Sequence, residues 1–403
     1  MSEYLSRALE MPLREQLNSH QVLILLGARR VGKTVLLQQL GQAFDGPTLF
    51  LNGEDLITVD LLTDRRMSAY RSWLGSTRLL LLDEAQAVPE VGRVLKLLID
   101  SFPELTILAT GSSAFELSNR TGEPLVGRQR VYPLFPLAQL ELSAVENGLQ
   151  TRQNLEDRLI YGSYPDVVRL PSAFERTRYL SDMAGSYLLK DILAYEQVRN
   201  SHKMLQLLRL VAYQVGQEVS YDELGKQLGL DRGTVMRYLD LFAKVFVLFR
   251  LGGYSGNLRK EIVKSSKWYF LDNGLRNALI NNFAPLSQRT DVGQLWENYL
   301  VSERLKRNAY RQSGMNVYFW RTYDQQELDW LEEKDGVLNA FEFKWNPARS
   351  VKTPTAFAQA YPEATVRVVN REDYLEFVGG DVLNRARQFP GPFDNLQKCS
   401  PHF

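Results

Sequence analysis

The sequence predicts an α/β protein: a parallel sheet covered by helices, then a helical segment and a winged helix, then a second α/β unit. Three observations predict it. Short apolar runs, VLILLG, TLFLN, RLLLLDE and LTILATGSS, alternate with amphipathic stretches over about residues 21–140, the rhythm of a parallel sheet with helical crossovers. Two short helical patterns separated by a Gly-Leu turn follow in the middle of the chain. Nearer the C-terminus, two short strands flank Asp335-Gly336, a strong two-residue hairpin signal.

With 403 residues, 44% hydrophobic and 24% charged, the chain is too long for one core and too apolar for disorder. The expected segments are 1–150 for the parallel-sheet domain, 151–205 for a helical linker or lid, 206–285 for the winged helix and 286–403 for the last α/β domain. The longest apolar runs fall far short of the roughly 20 residues that cross a bilayer, so no membrane partner is expected. The N-terminal stretch MSEYLSRALEMPLREQL reads as an amphipathic charged helix without an apolar signal core, which points to the cytoplasm. One cysteine, Cys399, excludes an intramolecular disulfide, and His20, His202 and His402 have no zinc-ligand spacing. The net charge of +1 gives no whole-chain pull on nucleic acid, so any such contact must come from local patches.

Gly27-Ala28-Arg29-Arg30-Val31-Gly32-Lys33-Thr34 matches G-x-x-x-x-G-K-S/T between a strand and a helix, the context a phosphate-binding loop requires. Its backbone N–H groups and the helix N-terminus would face phosphates. Lys33 would reach the β/γ-phosphates of ATP, and Thr34 would offer a hydroxyl to Mg²⁺. The run Leu79-Leu80-Leu81-Leu82-Asp83-Glu84 reads as a buried strand ending in two acids: Asp83 to hold Mg²⁺ through water, Glu84 to polarise the attacking water. Thr110, at the end of the next strand, is placed as a sensor of the γ-phosphate or lytic water. Arg128 is a candidate arginine finger and Arg120 a second; a solvated loop arginine is the alternative for each.

These motifs carry a resemblance. GARRVGKT, LLLLDEAQ, LATGSS and GR…YPLFPL resemble the prokaryotic AAA-type P-loop ATPases whose C-terminal half is a domain of unknown function. YGSYPDVV, YLLKDIL and the WEN, ELD and EFK motifs extend the resemblance over nearly the whole chain. It implies ATP binding and hydrolysis with Mg²⁺, and leaves a homo-oligomer open.

Residues 220–239 read as a Ser-capped helix, a Gly-Leu turn and a second helix capped by Asp231. Arg232, Thr234, Arg237 and Tyr238 could face a groove, with Arg259, Lys260, Lys264 and Lys267 on a basic wing. A structural or regulatory lid is the alternative to DNA contact.

If the Asp335-Gly336 turn sets the register, Asp329 faces Glu342 and Glu327 faces Lys344, while Leu328, Trp330, Phe341, Phe343 and Trp345 share the opposite, apolar face. Facing carboxylates repel unless a divalent ion lies between them. Glu297, Asp329 and Glu342 are the expected ligands for Mg²⁺ or Mn²⁺, with Lys344 activating water. Glu297, Asp329 and Glu342-Phe343-Lys344 resemble the PD-(D/E)xK pattern, which implies a restriction-endonuclease-like fold and Mg²⁺-dependent cleavage of nucleic acid. A degenerate, non-cleaving regulatory or scaffold module is the alternative.

Overall fold

The computed structural model describes residues 4–111, 125, 127–187, 201–255, 266–322, 324–349 and 352–379. Arg120, Lys190, Asp191, Arg259, Lys260, Lys264 and Cys399 lie outside the described residues.

Strands Val22–Leu26 (β1), Thr48–Asn52 (β2), Leu79–Asp83 (β3), Thr106–Gly111 (β4) and Gln129–Pro133 (β5) form a parallel sheet in the order β2-β3-β4-β1-β5. β1, β3 and β4 are buried along their whole length, which is why they read as unbroken apolar runs. β2 lies at the edge and alternates. The inserted β4 separates β3 from β1, so the acidic strand end and the glycine loop approach the same sheet edge from two crossovers.

Beyond it, Glu218–Val219 (β6), Leu248–Gly253 (β7), Ser266–Phe270 (β8), Asn316–Arg321 (β9), Glu327–Lys334 (β10), Val337–Phe343 (β11) and Thr365–Val369 (β12) form one seven-stranded sheet, ordered β12-β11-β10-β9-β7-β8-β6. Strands from both sides of residue 285 thus share a sheet, joined where β7 pairs with β9 at Gly252↔Tyr318 and Gly253↔Phe319. The Val292–Tyr310 helix is buried along much of its length, through Leu295, Trp296, Tyr299 and Leu300 among others. Its Arg304 grips Glu332 of β10 with two hydrogen bonds, 2.7 and 2.6 Å.

The β10–β11 register runs from Trp330↔Phe341 to Lys334↔Val337, as the turn predicts. Asp335 (φ 52°) and Gly336 (φ 80°) both adopt the positive φ that a type I′ turn demands. One face assignment changes. An irregularity between Leu328 and Leu331 against β9 rotates Leu328 into the cluster of Trp320, Leu331, Leu338 and Phe357, away from Trp330 and Phe343.

The two-helix unit forms as its caps dictate. Ser220 accepts from Glu223 N at the start of Tyr221–Leu228, Gly229 (φ 61°) ends that helix, and Asp231 accepts from Thr234 N at the start of Arg232–Lys244. Each cap is worth about 1 kcal/mol. Among the described residues, no helix is long and apolar enough to cross a membrane.

Candidate functional site

The glycine loop leaves β1 and enters the Lys33–Gln42 helix. Gly27 has no room for a side chain, since a Cβ would stand 2.2 Å from Leu134 O; Gly32, at φ 95°, needs the left-handed region. Lys33 Nζ donates to Gly27 O and Ala28 O, both at 3.0 Å, folded across the loop it would leave for phosphate. Arg29, Arg30, Val31, Gly32, Lys33, Thr34 and Glu84 line a cleft of about 400 Å³, a size suited to a small ligand.

Thr34 Oγ1 donates to Asp83 Oδ2 at 2.7 Å, so the hydroxyl and carboxylate meet at the ends of β1 and β3. This pair fits a nucleotide-bound Mg²⁺, which keeps several waters and needs few protein ligands. Glu84 borders the cleft at φ 48°, its carboxylate taking a hydrogen bond from Gln86 Nε2. Thr110 stands behind the two acids. Its hydroxyl is fully buried, donates to Asp83 Oδ1 at 2.5 Å and accepts from Glu84 N at 2.9 Å, so it ties both acids together at the strand end. Arg128 is not brought to the loop of its own chain. It precedes β5 at the level of Val22, the end of the sheet opposite the loop, and pairs with Asp100 at 2.5 Å.

The second constellation gathers where β8, β10, β11 and the Val292–Tyr310 helix meet. Asp329, Glu342 and Glu297 are all brought into it, but the carboxylates turn apart. Asp329 Oδ2 accepts from Phe343 N at 2.7 Å, Glu342 Oε1 from Lys344 Nζ at 2.6 Å, and Glu297 Oε1 from Tyr269 OH at 2.7 Å. Glu342 Oε2 is buried and accepts no hydrogen bond among the described residues. Lys344 therefore pairs with Glu342, leaving Glu327 to Lys267 and Arg321.

Lys267 is the residue that the sequence placed elsewhere. It is only 2% exposed, not on a solvated wing, and its Nζ contacts Glu327 and lies 3.5 Å from Glu297 Oε1. Burial works against its charge, but Glu297, Asp329 and Glu327 outweigh burial and raise its pKa above the ordinary lysine value. Burial, together with Asp329 and Glu327, pushes Glu297 up to about 7, and likewise Glu342. Among the described residues, no three Asp, Glu, His or Cys side chains converge where a metal ion could be held. Glu297 thus meets Lys267 and Glu342 meets Lys344, and with Asp329 held by Phe343 N the three do not fit the expected Mg²⁺ or Mn²⁺ centre.

Comparison with known proteins bears on the first of these sites. A family model described as an AAA domain matches residues 19–143. Over residues 19–143, which hold the glycine loop and the Asp83-Glu84 strand end, the chain is thus similar to an AAA domain. Models described as domains of unknown function match residues 152–286 and 292–386. An uncharacterized protein of Mycobacterium tuberculosis is 27% identical over 343 residues, covering 84% of this chain and 74% of that one. One of Haemophilus influenzae is 27% identical over 352 residues, covering 80% and 83%. Among solved structures, the Walker-type ATPase of Pyrococcus abyssi has 16% identity and a TM-score of 0.46 over 69% of this chain and 96% of that chain. The Holliday junction branch migration motor RuvB of Thermotoga maritima has 15% identity and a TM-score of 0.33, covering 61% and 90%.

The parallel-sheet region is tied to the Val292–Tyr310 helix by buried polar contacts that the sequence did not signal. Arg7 Nη1 donates to Val31 O of the loop at 2.6 Å, and its Nη2 donates to Phe135 O at 2.7 Å and Tyr310 OH at 3.4 Å. Glu303 accepts from Gln139 N at 2.5 Å, and Lys306 donates to Glu303 at 2.7 Å. On the helix-turn-helix, Tyr238 faces the core at 3% exposure and cannot reach a groove. Arg232 is exposed but paired with Asp222 at 3.0 Å, while Arg237 is exposed with its guanidinium over the Tyr238 ring.

Proposed function

We propose that the chain is an ATP-hydrolysing switch whose nucleotide state is passed to a nucleic-acid-directed C-terminal module. The set Thr34, Asp83, Thr110 and Glu84 carries the first half: two acids at a strand end, oriented by a buried threonine and facing the loop. ATP with Mg²⁺ supplies the scissile phosphoanhydride; Lys33 would neutralise the phosphates, Thr34 and Asp83 would hold the ion, and Glu84 would orient and deprotonate water. Arg7 supports the second half, because it touches the loop backbone and the last residue of the Val292–Tyr310 helix at once. A loop that rearranges on phosphate must pull on that helix, whose other end carries Glu297.

Recognition without cleavage as the module's task is supported by Lys267, whose ammonium lies on Glu327 and 3.5 Å from Glu297. A second reading, metal-dependent cleavage, is favoured by the Glu342–Lys344 contact at 2.6 Å. The test is incubation of plasmid, single-stranded DNA and RNA with Mg²⁺ or Mn²⁺, with and without ATP, comparing wild type with Glu342→Ala. ATP turnover without cleavage is the expected result. Cleavage that disappears in Glu342→Ala would replace recognition by the nuclease reading.

A further inference from the structure

The lysine at the heart of the C-terminal cluster explains why three acids expected to share a metal ion do not. Lys267 enters from β8 with its ammonium on Glu327 and 3.5 Å from Glu297, packed over the Phe319 ring at 5.3 Å. Tyr269, two residues along the same strand, donates to the same Glu297 oxygen at 2.7 Å. The backbone at Gly216 (φ 77°) closes a further side: a Cβ there would stand 2.9 Å from Glu297 Oε1. Glu297 is therefore enclosed by an ammonium, a phenol and a main chain. A divalent ion needs oxygens at roughly 2.0–2.6 Å and usually keeps waters, and an ammonium so close to one of those oxygens opposes it by charge as well as by volume.

We propose that Lys267 stands in the place of a cation in the C-terminal carboxylate cluster, so that the wild-type cluster excludes divalent metal for as long as this lysine remains. The acceptors for a metal are already built. Four carboxylates, Glu297, Glu327, Asp329 and Glu342, are set against the ammoniums of Lys267 and Lys344 and the Arg321 guanidinium, and Glu342 Oε2 is a buried oxygen with no donor among the described residues. Removing one ammonium deepens the charge deficit and opens the volume in which an ion could reach Glu297 and Asp329 together. The inference concerns metal occupancy alone and does not depend on whether the module recognises or cleaves nucleic acid.

The test is Mn²⁺ titration of the full-length chain without nucleotide, followed by the electron paramagnetic resonance signal of free Mn²⁺. Wild type is expected to leave the free signal unchanged, and Lys267→Met to take up about one Mn²⁺ per chain. Asp329→Asn in the Lys267→Met background removes that uptake, which separates it from the ATP site at Thr34 and Asp83. Because Lys267→Met takes the ammonium from Glu297, Glu327 and Asp329 at once, Lys267→Met with Glu327→Gln provides a variant with less repulsion and the same three ligands. Mn²⁺ uptake by wild type that Asp329→Asn abolishes overturns the proposal, and so does a folded lysine variant that binds no Mn²⁺.

Discussion

The nucleotide loop and the C-terminal cluster use the same ingredients, a lysine beside strand-end acids, to opposite effect. Lys33 rests on two backbone carbonyls, whereas Lys267 rests on carboxylates. Two opposite unit charges about 4 Å apart near a protein surface attract by roughly 4 kcal/mol, and a carbonyl dipole offers much less. A phosphate can therefore draw Lys33 from its carbonyls into the cleft, while no ordinary anion gains by drawing Lys267 from Glu327 and Glu297. What a lysine touches when no ligand is present decides whether the place is a binding site or a closed charge network.

The largest effect that can break this comparison lies at the open site. Lys33→Ala is expected to abolish ATP binding, measured by titration with a fluorescent nucleotide. Glu84→Gln keeps binding but lowers phosphate release by about 100-fold or more, because the carboxylate that orients water is gone. Turnover that survives in both variants would remove the open-cleft reading of the first sheet.

The first site was legible because its parts are contiguous. Eight residues of loop and one strand end place Lys33, Thr34, Asp83 and Glu84 with no tertiary knowledge, and the hairpin register follows from two residues that tolerate positive φ. Thr110, Arg128 and Tyr238 could be located by strand or helix but not aimed, since burial and the end of the sheet decide what each side chain meets. Lys267 was illegible for a different reason. Its partners are 30 and 60 residues away in sequence, and nothing local distinguishes a lysine that crosses into acids from one on a basic wing. Arg7 likewise meets Tyr310 across 303 residues.

The closed cluster predicts a pH dependence of stability with an unusual sign. Glu297 and Glu342 titrate at about 7 in the folded chain, against an ordinary value of 4.5 for the exposed acids of the unfolded chain. The folded state therefore holds protons that the unfolded state releases. Their contribution is complete below about 4.5 and is lost as pH rises through about 7. Thermal unfolding of wild type is expected to weaken by on the order of 2 kcal/mol between about pH 6 and pH 8. Glu297→Gln, which fixes the neutral form, flattens that decline. A stability that climbs over the same window would mean that Lys267 and Lys344 hold Glu297 and Glu342 ionised in spite of their burial.

The smallest effect sharpens the comparison where neither site reaches. On the second helix of the helix-turn-helix, Arg232 is paired with Asp222 and Lys244 with Asp240, so the helix presents little net positive charge to a duplex. Arg237, exposed near the middle of Arg232–Lys244, is the position where one phosphate contact would show. One such contact changes the slope of log affinity against log salt by about 0.9, which amounts to roughly threefold in affinity between 50 and 200 mM. Arg237→Ala is therefore expected to weaken duplex binding at both salts, by about threefold more at 50 mM than at 200 mM, and so to flatten the salt dependence equally for all sequences. A variant with unchanged affinity and slope assigns the two-helix unit to the lid. Nucleotide-driven motion would then end in the protein itself rather than on nucleic acid.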